Sequence, residues 1–176
     1  MKQQEAFLLV DGYNIIHAWP KLRKIVDYSL EAARDKLLQI LSNYGGMNER
    51  QTIIVVFDAQ KVKGGIGSVL SYDKVKVVYT QEAETADSYI EKAVTDLARH
   101  YTVRVATSDG LEQIIILSKG AYRLSANDLQ EEVRAVERQI QEKIRQIKPV
   151  KNNELIANLD QKTAEWMEKM RRGHGL

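Results

Sequence analysis

The feature that most constrains the fold is residues 6–14, where an apolar run leads directly into an aspartate. The run AFLLV is followed by Asp11, Gly12, Tyr13 and Asn14. A short apolar segment closed by a turn is typical of a strand buried on both faces, as in parallel sheets. Asp11 would then lie at the carboxyl end of its strand, where open α/β sheets place their ligands.

Two later segments repeat this arrangement of an apolar strand that ends on an acid. Residues 52–59 read TIIVVFDA and carry Asp58 near their end, and residues 102–109 read TVRVATSD and end on Asp109. If the strands are parallel, their carboxyl ends share one edge of the sheet. The sequence therefore predicts that these carboxylates lie together.

The segments between these strands alternate in the order of an α/β fold. Helices are predicted over residues 29–44, 86–100, 111–118 and 125–147, and further strands over residues 75–80 and 121–124. Residues 60–72, which contain Lys61, Lys63 and several glycines, are predicted to form a loop. This order favours an α/β domain over residues 1–150 with right-handed crossovers and a mostly parallel sheet. A last amphipathic segment predicts a C-terminal helical extension over residues 151–176 that packs on the domain.

The composition excludes several classes of protein. Of the 176 residues, 44% are hydrophobic and 28% charged, which is typical of a soluble globular domain. There is no cysteine, so disulfides and cysteine-based zinc sites are excluded. The net charge of +2 is compatible with a nucleic-acid partner but does not by itself argue for one. Because neither a signal peptide nor a membrane-spanning apolar run is recognised, we expect a cytoplasmic protein with no membrane contact. We also expect a monomer.

A fourth aspartate is expected at the same edge of the sheet. Asp87 lies at the start of the helix that follows the strand at residues 75–80, with Glu84 just before it. Asn14 is expected close by. We predict that the carboxyl oxygens of Asp11, Asp58, Asp87 and Asp109 lie within ~10 Å of one point, near enough to share one or two hard ions.

Carboxylates grouped in this way repel one another, which restricts what the group can be. Two of them ~4 Å apart cost about 4 kcal/mol at an effective dielectric constant near 20. Such a group persists if it shares protons, pairs with basic side chains or binds a divalent cation. An all-oxygen set, with Glu84 as a further candidate ligand, favours Mg²⁺ or Mn²⁺ over zinc. Asn14 would add a neutral oxygen ligand or a donor that orients one carboxylate. Taken singly, each aspartate is also compatible with a helix cap or a turn.

Four short motifs resemble a known family. VDGYN at residues 10–14, VVFDA at 55–59, ETAD at 84–87 and ATSD at 106–109 resemble, in order and spacing, the YacP-like ribonucleases, which are NYN domains of the PIN-like nuclease superfamily. The resemblance covers residues 6–150, and the long helix and the C-terminal extension also look like that family. It implies a PIN-like three-layer α/β/α sandwich and a Mg²⁺- or Mn²⁺-dependent endoribonuclease that cuts mRNA on the ribosome. It further implies that Asp11, Asp58, Asp87 and Asp109 are the acidic site residues and that Asn14 is their polar companion.

An acidic edge repels RNA, so basic residues are expected beside it. Lys61 and Lys63 follow shortly after Asp58, Lys119 precedes the predicted strand at residues 121–124, and Arg123 lies within that strand. These four are the predicted RNA-binding residues. His17 has no partner at a metal-ligand spacing and is interpreted as having no role in the site.

Two other functions remain open from the sequence. One is a non-catalytic RNA- or ribosome-binding module on a PIN-like scaffold. The other is a metal-dependent phosphatase of small phosphoesters, which would use the same ion chemistry. A phosphatase of the haloacid dehalogenase type would carry an aspartate where Tyr13 stands, and the chain contains no P-loop motif.

Overall fold

The structure, a computed structural model, describes residues 5–59 and 67–147 together with Thr163 and Glu165. Its elements are, in chain order, β1 (Ala6–Asp11), α1 (Gly12–Ala18), α2 (Pro20–Val26), α3 (Leu30–Gly46), β2 (Gln51–Phe57), β3 (Val69–Tyr72), β4 (Val75–Tyr79), α4 (Ala86–Leu97), β5 (Thr102–Ala106), α5 (Gly110–Ser118), β6 (Tyr122–Leu124) and α6 (Ala126–Gln146). The predicted alternation of strands and helices is confirmed.

One sheet contains the strands in the order β3-β4-β2-β1-β5-β6. All neighbouring pairs are parallel except β3 with β4. Asp11, the last residue of β1, is in register with Val56 near the end of β2. The strands that precede the predicted site residues therefore end at one edge of the sheet, which we call the carboxyl edge.

The central strands β1, β2 and β5 are buried on both faces, as their continuous apolar sequences predicted, whereas the edge strand β3 is exposed. Leu8 and Val10 pack with α1, α2, α3 and α6 on one face, whereas Leu9 packs with α4 and α5 on the other. All three side chains are fully buried, and they divide between the faces because successive residues of a strand point to opposite sides. The result is the expected three-layer α/β/α sandwich with a mostly parallel central sheet.

The strand β3 corrects the prediction of a loop over residues 60–72. Tyr72 pairs with Val75, so Asp73 and Lys74 alone connect β3 to β4. Asp73 takes a φ of 49°, a left-handed conformation that two-residue hairpin turns require and that aspartate tolerates. The turn residue and the apolar pair Val69 and Leu70 were the available signals for a hairpin.

The helix starts follow their sequence signals closely. Ser29 Oγ accepts a bond from Ala32 N at 3.1 Å and caps α3. At α6, Ser125 Oγ accepts from Asp128 N at 3.1 Å, and Asp128 accepts from Ser125 N at 3.3 Å. This reciprocal pair is the predicted acidic capping box. Helix α4 ends at Leu97, earlier than the predicted residue 100.

The chain divides into two compact units, Met1–Gln139 and Ile140–Leu176. In the second unit the description covers residues 140–147, Thr163 and Glu165. The expected domain boundary between residues 150 and 151 and most of the expected C-terminal helix lie outside the described residues and stay predictions. In the part of the chain that is described, no helix has the length and apolar character needed to span a bilayer.

Candidate active site

Four aspartates line a single cleft of about 520 Å³. They are Asp11, Asp58, Asp87 and Asp109, and the other polar lining residues are Tyr13, Asn14, His17, Thr85 and Ser108. Each of the four aspartates either ends a strand at the carboxyl edge or belongs to the loop or helix start that follows. We call this the carboxylate cleft.

Asp11 is nearly enclosed, being 7% exposed at the junction of β1 and α1. Its Oδ1 accepts a bond from Asn14 N at 3.1 Å and so caps α1. Helix α1 can begin immediately after Asp11 because residue 12 is glycine. A Cβ on Gly12 would lie 2.2 Å from Phe57 Cε1, so any larger residue would force the helix away from β2.

Asp87 lies in the first turn of α4, whose N-cap is Thr85. Burial raises the pKa of Asp87, and the negative charges of Asp109 and Asp58 raise it further, against the lowering effect of a hydrogen bond with Asp11. The neighbouring carboxylates therefore repel one another, and a proton or a bound cation would relieve that repulsion.

Asn14 ties the β5–α5 loop to the start of α1. Its Oδ1 accepts bonds from Ser108 N at 2.5 Å and from Ser108 Oγ at 2.6 Å. The next residue of the loop, Asp109, donates its own N–H to Thr107 Oγ1 at 3.1 Å. Asn14 was expected to act as an oxygen ligand or as a donor to a carboxylate. In the structure its side-chain oxygen holds the loop that carries Asp109.

Tyr13 forms the wall between the cleft and the core. It is 5% exposed, and its ring meets Phe57 edge-on at 5.1 Å between centroids. Burial raises the pKa of its phenol, while the hydrogen bond from Arg34 Nη1 at 3.0 Å opposes that rise. Tyr13 is therefore a packed core residue that also borders the cleft.

Several predicted site residues are placed elsewhere. Glu84 is not among the lining residues and binds Lys92 Nζ at 2.8 Å. Lys119 lies between α5 and the start of β6, at the edge opposite the cleft, because α5 runs back across the sheet. It pairs there with Glu91 at 2.9 Å and donates to Thr95 at 3.0 Å.

Of the other three residues predicted to bind RNA, the structure describes only Arg123. Arg123 is exposed on β6 and donates to Gln113 Oε1 at 2.8 Å, and Gln113 in turn donates to Thr107 O at 2.8 Å. This links Arg123 to the end of β5. Lys61 and Lys63 lie outside the described residues, so their role in RNA binding stays a prediction.

His17 lines the cleft together with Thr85 and Ser108, and none of these three was among the predicted site residues. His17 is exposed in the last turn of α1, three residues after Asn14. Residues three apart lie on the same side of a helix. Because α1 starts directly after Asp11, the three-residue spacing from Asn14 predicts that His17 lies on the cleft side of the helix.

The donor chemistry of the cleft fits a hard divalent cation. Its acidic groups are all carboxylates, and they are close enough for one to shift the pKa of another. Across residues 5–59 and 67–147, no three acidic or histidine side chains form a ready coordination group. An ion held by fewer than three of these side chains would complete its coordination shell with water molecules, as Mg²⁺ usually does.

Comparison with known proteins gives consistent matches over nearly the whole chain. The family model of the YacP-like NYN domain matches residues 8–172. YacP of Bacillus subtilis strain 168 is 43% identical over 167 residues, which cover 94% of this chain and 96% of YacP. The crystal structure of Rae1 (YacP) from Bacillus subtilis is 42% identical with a TM-score of 0.71, covering 95% of each chain. The crystal structure of a Rae1 point mutant, in which leucine replaces a tryptophan, is 36% identical with a TM-score of 0.71, covering 94% of this chain and 99% of that one. The chain thus belongs to the YacP-like NYN domain family, whose nuclease-like fold supports a nuclease-type function.

Proposed function

We propose that this protein is a metal-dependent endoribonuclease that cleaves mRNA in association with the ribosome. The observation that carries the proposal is the carboxylate cleft, in which four aspartates from separate strands and helices face one open space. The raised pKa of Asp87 supports it, because burial and the neighbouring charges of Asp109 and Asp58 both disfavour a further negative charge there. Such a group is stabilised most directly by a cation.

Within this proposal, Asp11 and Asp87 hold Mg²⁺ or Mn²⁺, with Asp58 and Asp109 as further ligands directly or through water. The bound ion supplies Lewis-acid polarisation of the scissile phosphate and a water of lowered pKa. Asn14 and Ser108 keep the loop of Asp109 in place. Because the cleft is open to solvent, a phosphodiester inside a longer chain can reach the aspartates.

RNA and the ribosome enter the proposal through the family. The motifs that line the cleft are those that resemble the YacP-like ribonucleases, and the chain is similar to Rae1 over almost its full length. Because the cleft is acidic, binding of a polyanion to it requires either the cation or basic residues nearby.

The test is cleavage of a single-stranded RNA and of mRNA on translating ribosomes, each with Mg²⁺, with Mn²⁺ and with a chelator. We expect internal cleavage that the chelator abolishes and that is faster on ribosomes. RNA binding without cleavage in any of these conditions would favour the non-catalytic module. Hydrolysis of a small phosphoester panel without RNA cleavage would favour the phosphatase.

A further inference from the structure

A basic surface begins beside the carboxylate cleft, on helix α2. Lys21, Arg23 and Lys24 are all exposed, and in the described part of the chain none has an ion-pair partner. By contrast, Lys92 and Lys119 are both paired. Three cations within four residues, without an ion-pair partner among the described residues, form a positive surface.

The position of α2 connects this surface to the cleft. Ala18, the last residue of α1, lines the cleft, and α2 starts at Pro20. Lys21 is three residues after Ala18, so its Cα lies within roughly 11 Å of the cleft wall. Leu22 is 1% exposed and anchors α2 to the core, which leaves the three cations on the solvent side.

An exposed aromatic residue follows the three cations. Tyr28 is 92% exposed, the largest exposure among the large hydrophobic side chains described. Its backbone is held in place, because Tyr28 N donates to Ile25 O at 3.0 Å. A fixed backbone that presents a ring to solvent suits stacking on a nucleobase, which does not depend on the identity of the base.

We propose that Lys21, Arg23, Lys24 and Tyr28, the α2 surface, bind the single-stranded RNA that enters the carboxylate cleft. The cations contact successive phosphates and the tyrosine stacks on a base. Asp27 is the one acidic residue between positions 12 and 28, so the local charge favours a polyanion. This inference rests on the proposed function, because RNA is taken as the substrate.

The test measures the affinity of a fluorescent single-stranded RNA oligonucleotide at several salt concentrations. All proteins carry Asp87→Asn, so that the RNA remains intact. Each phosphate contact on a single strand contributes about 0.7 to the slope of log affinity against log salt. The triple variant Lys21→Ala/Arg23→Ala/Lys24→Ala should therefore reduce the slope by about 2 and the affinity by roughly 10- to 100-fold near 0.1 M salt.

A matched control has the same change in net charge at the other edge of the sheet. Arg50, Lys74 and Lys76 are exposed and have no ion-pair partner among the described residues. They lie at or near the amino ends of β2 and β4. Their triple alanine variant should leave the slope nearly unchanged. Equal losses in both triple variants would mean that only the net charge matters and would overturn the proposal.

Tyr28 is tested separately, because stacking and ion release have different salt dependences. Tyr28→Ala should lower the affinity roughly tenfold without changing the slope, and Tyr28→Phe should retain the affinity of the parent. If Tyr28→Ala and Tyr28→Phe both bind RNA with the affinity of the parent, Tyr28 does not contribute to the α2 surface.

The outcomes separate this inference from the proposed function. Suppose that the parent binds RNA and the α2 triple variant does not, but that the protein with Asp87 intact never cleaves RNA. The α2 surface is then supported and the nuclease proposal fails. If the α2 variant binds free RNA normally and loses only ribosome binding, the surface is a ribosome contact and the inference is overturned. Failure of the parent itself to bind RNA would also overturn it.

Discussion

Two clusters of charged and polar groups in this protein are built in opposite ways. In the first, Glu132 of α6 accepts a bond from Tyr44 of α3 at 2.7 Å and a bidentate pair from Arg104 of β5. Each group there faces one of complementary charge or polarity. In the second, the carboxylate cleft, the described acidic groups face one another.

The pKa values of the two clusters differ accordingly. Burial alone would raise the pKa of Glu132, but the bonds from Arg104 and Tyr44 outweigh it and hold the pKa below its usual value. Burial and the Glu132 carboxylate raise the pKa of Tyr44 to about 12. The pKa of Asp87 is raised by burial and by neighbouring carboxylates. The first cluster stabilises the fold, whereas in the second neighbouring carboxylates repel one another, and a bound cation or a proton would relieve that repulsion.

The largest expected effect comes from removing one charge of the cleft. Asp87→Asn should lower RNA cleavage by about a thousandfold, because several kcal/mol of stabilisation from the ion are lost. Without metal, the free energy of unfolding should hold or rise, since a like charge is gone. Cleavage rates and thermal melts with and without Mn²⁺ measure both, and only the protein with Asp87 should be stabilised by the ion.

Asp96→Asn is the matched control for that change. Asp96 is exposed on the same helix and does not line the cleft. It should leave cleavage and the ion effect intact. A loss of metal-free stability in Asp87→Asn but not in Asp96→Asn would identify Asp87 as a structural residue.

The second prediction concerns the cluster of Glu132, Arg104 and Tyr44, whose groups bond to one another. Glu132→Gln should lower the free energy of unfolding by about 2 kcal/mol, a value reduced for partial exposure, while cleavage per folded molecule is unchanged. Glu132 has a lowered folded pKa, so its stabilisation is complete above the ordinary value of 4.5 and is lost as the pH falls through the folded pKa. The difference from the parent should therefore shrink in acid.

Urea unfolding at pH 7 and below pH 4.5 checks this, with Glu131→Gln as the control. Glu131 forms an exposed pair with Arg134 at 2.8 Å and should contribute less than about 1 kcal/mol. A difference for Glu132→Gln that does not change with pH would show that its charge is not what stabilises α6.

The smallest effect is expected for Asn14, whose side-chain oxygen accepts two hydrogen bonds from Ser108 in the cleft. Asn14→Ala removes the acceptor of both Ser108 bonds and should lower kcat about tenfold with little change in KM, as loss of an orienting contact does. Asn43→Ala, on the exposed side of α3, is the control and should change neither constant. A fall in thermal stability with kcat unchanged would limit Asn14 to a structural role.

Much of the carboxylate cleft was predictable, because its residues are tied to strand ends. The acid at the end of each apolar run was expected at the carboxyl edge, and the structure places Asp11, Asp58 and Asp109 there. Asp87 followed from the helix start after β4. Glu84 was not predictable in the same way, because a residue in a loop can turn its side chain toward either Lys92 or the cleft.

The sequence by itself determined the features that depend on neighbouring residues, namely the buried strands, the helix caps and the acids that follow the strands. Only the tertiary structure decided which cations lie near the acids. Lys119 was expected at the cleft but is carried to the opposite edge by α5, whereas helix α2, which was not among the predicted elements, starts two residues after Ala18 of the cleft wall. The physical reason is that the length and direction of a helix decide where the residues after it lie in space, and local composition carries no information about that distance.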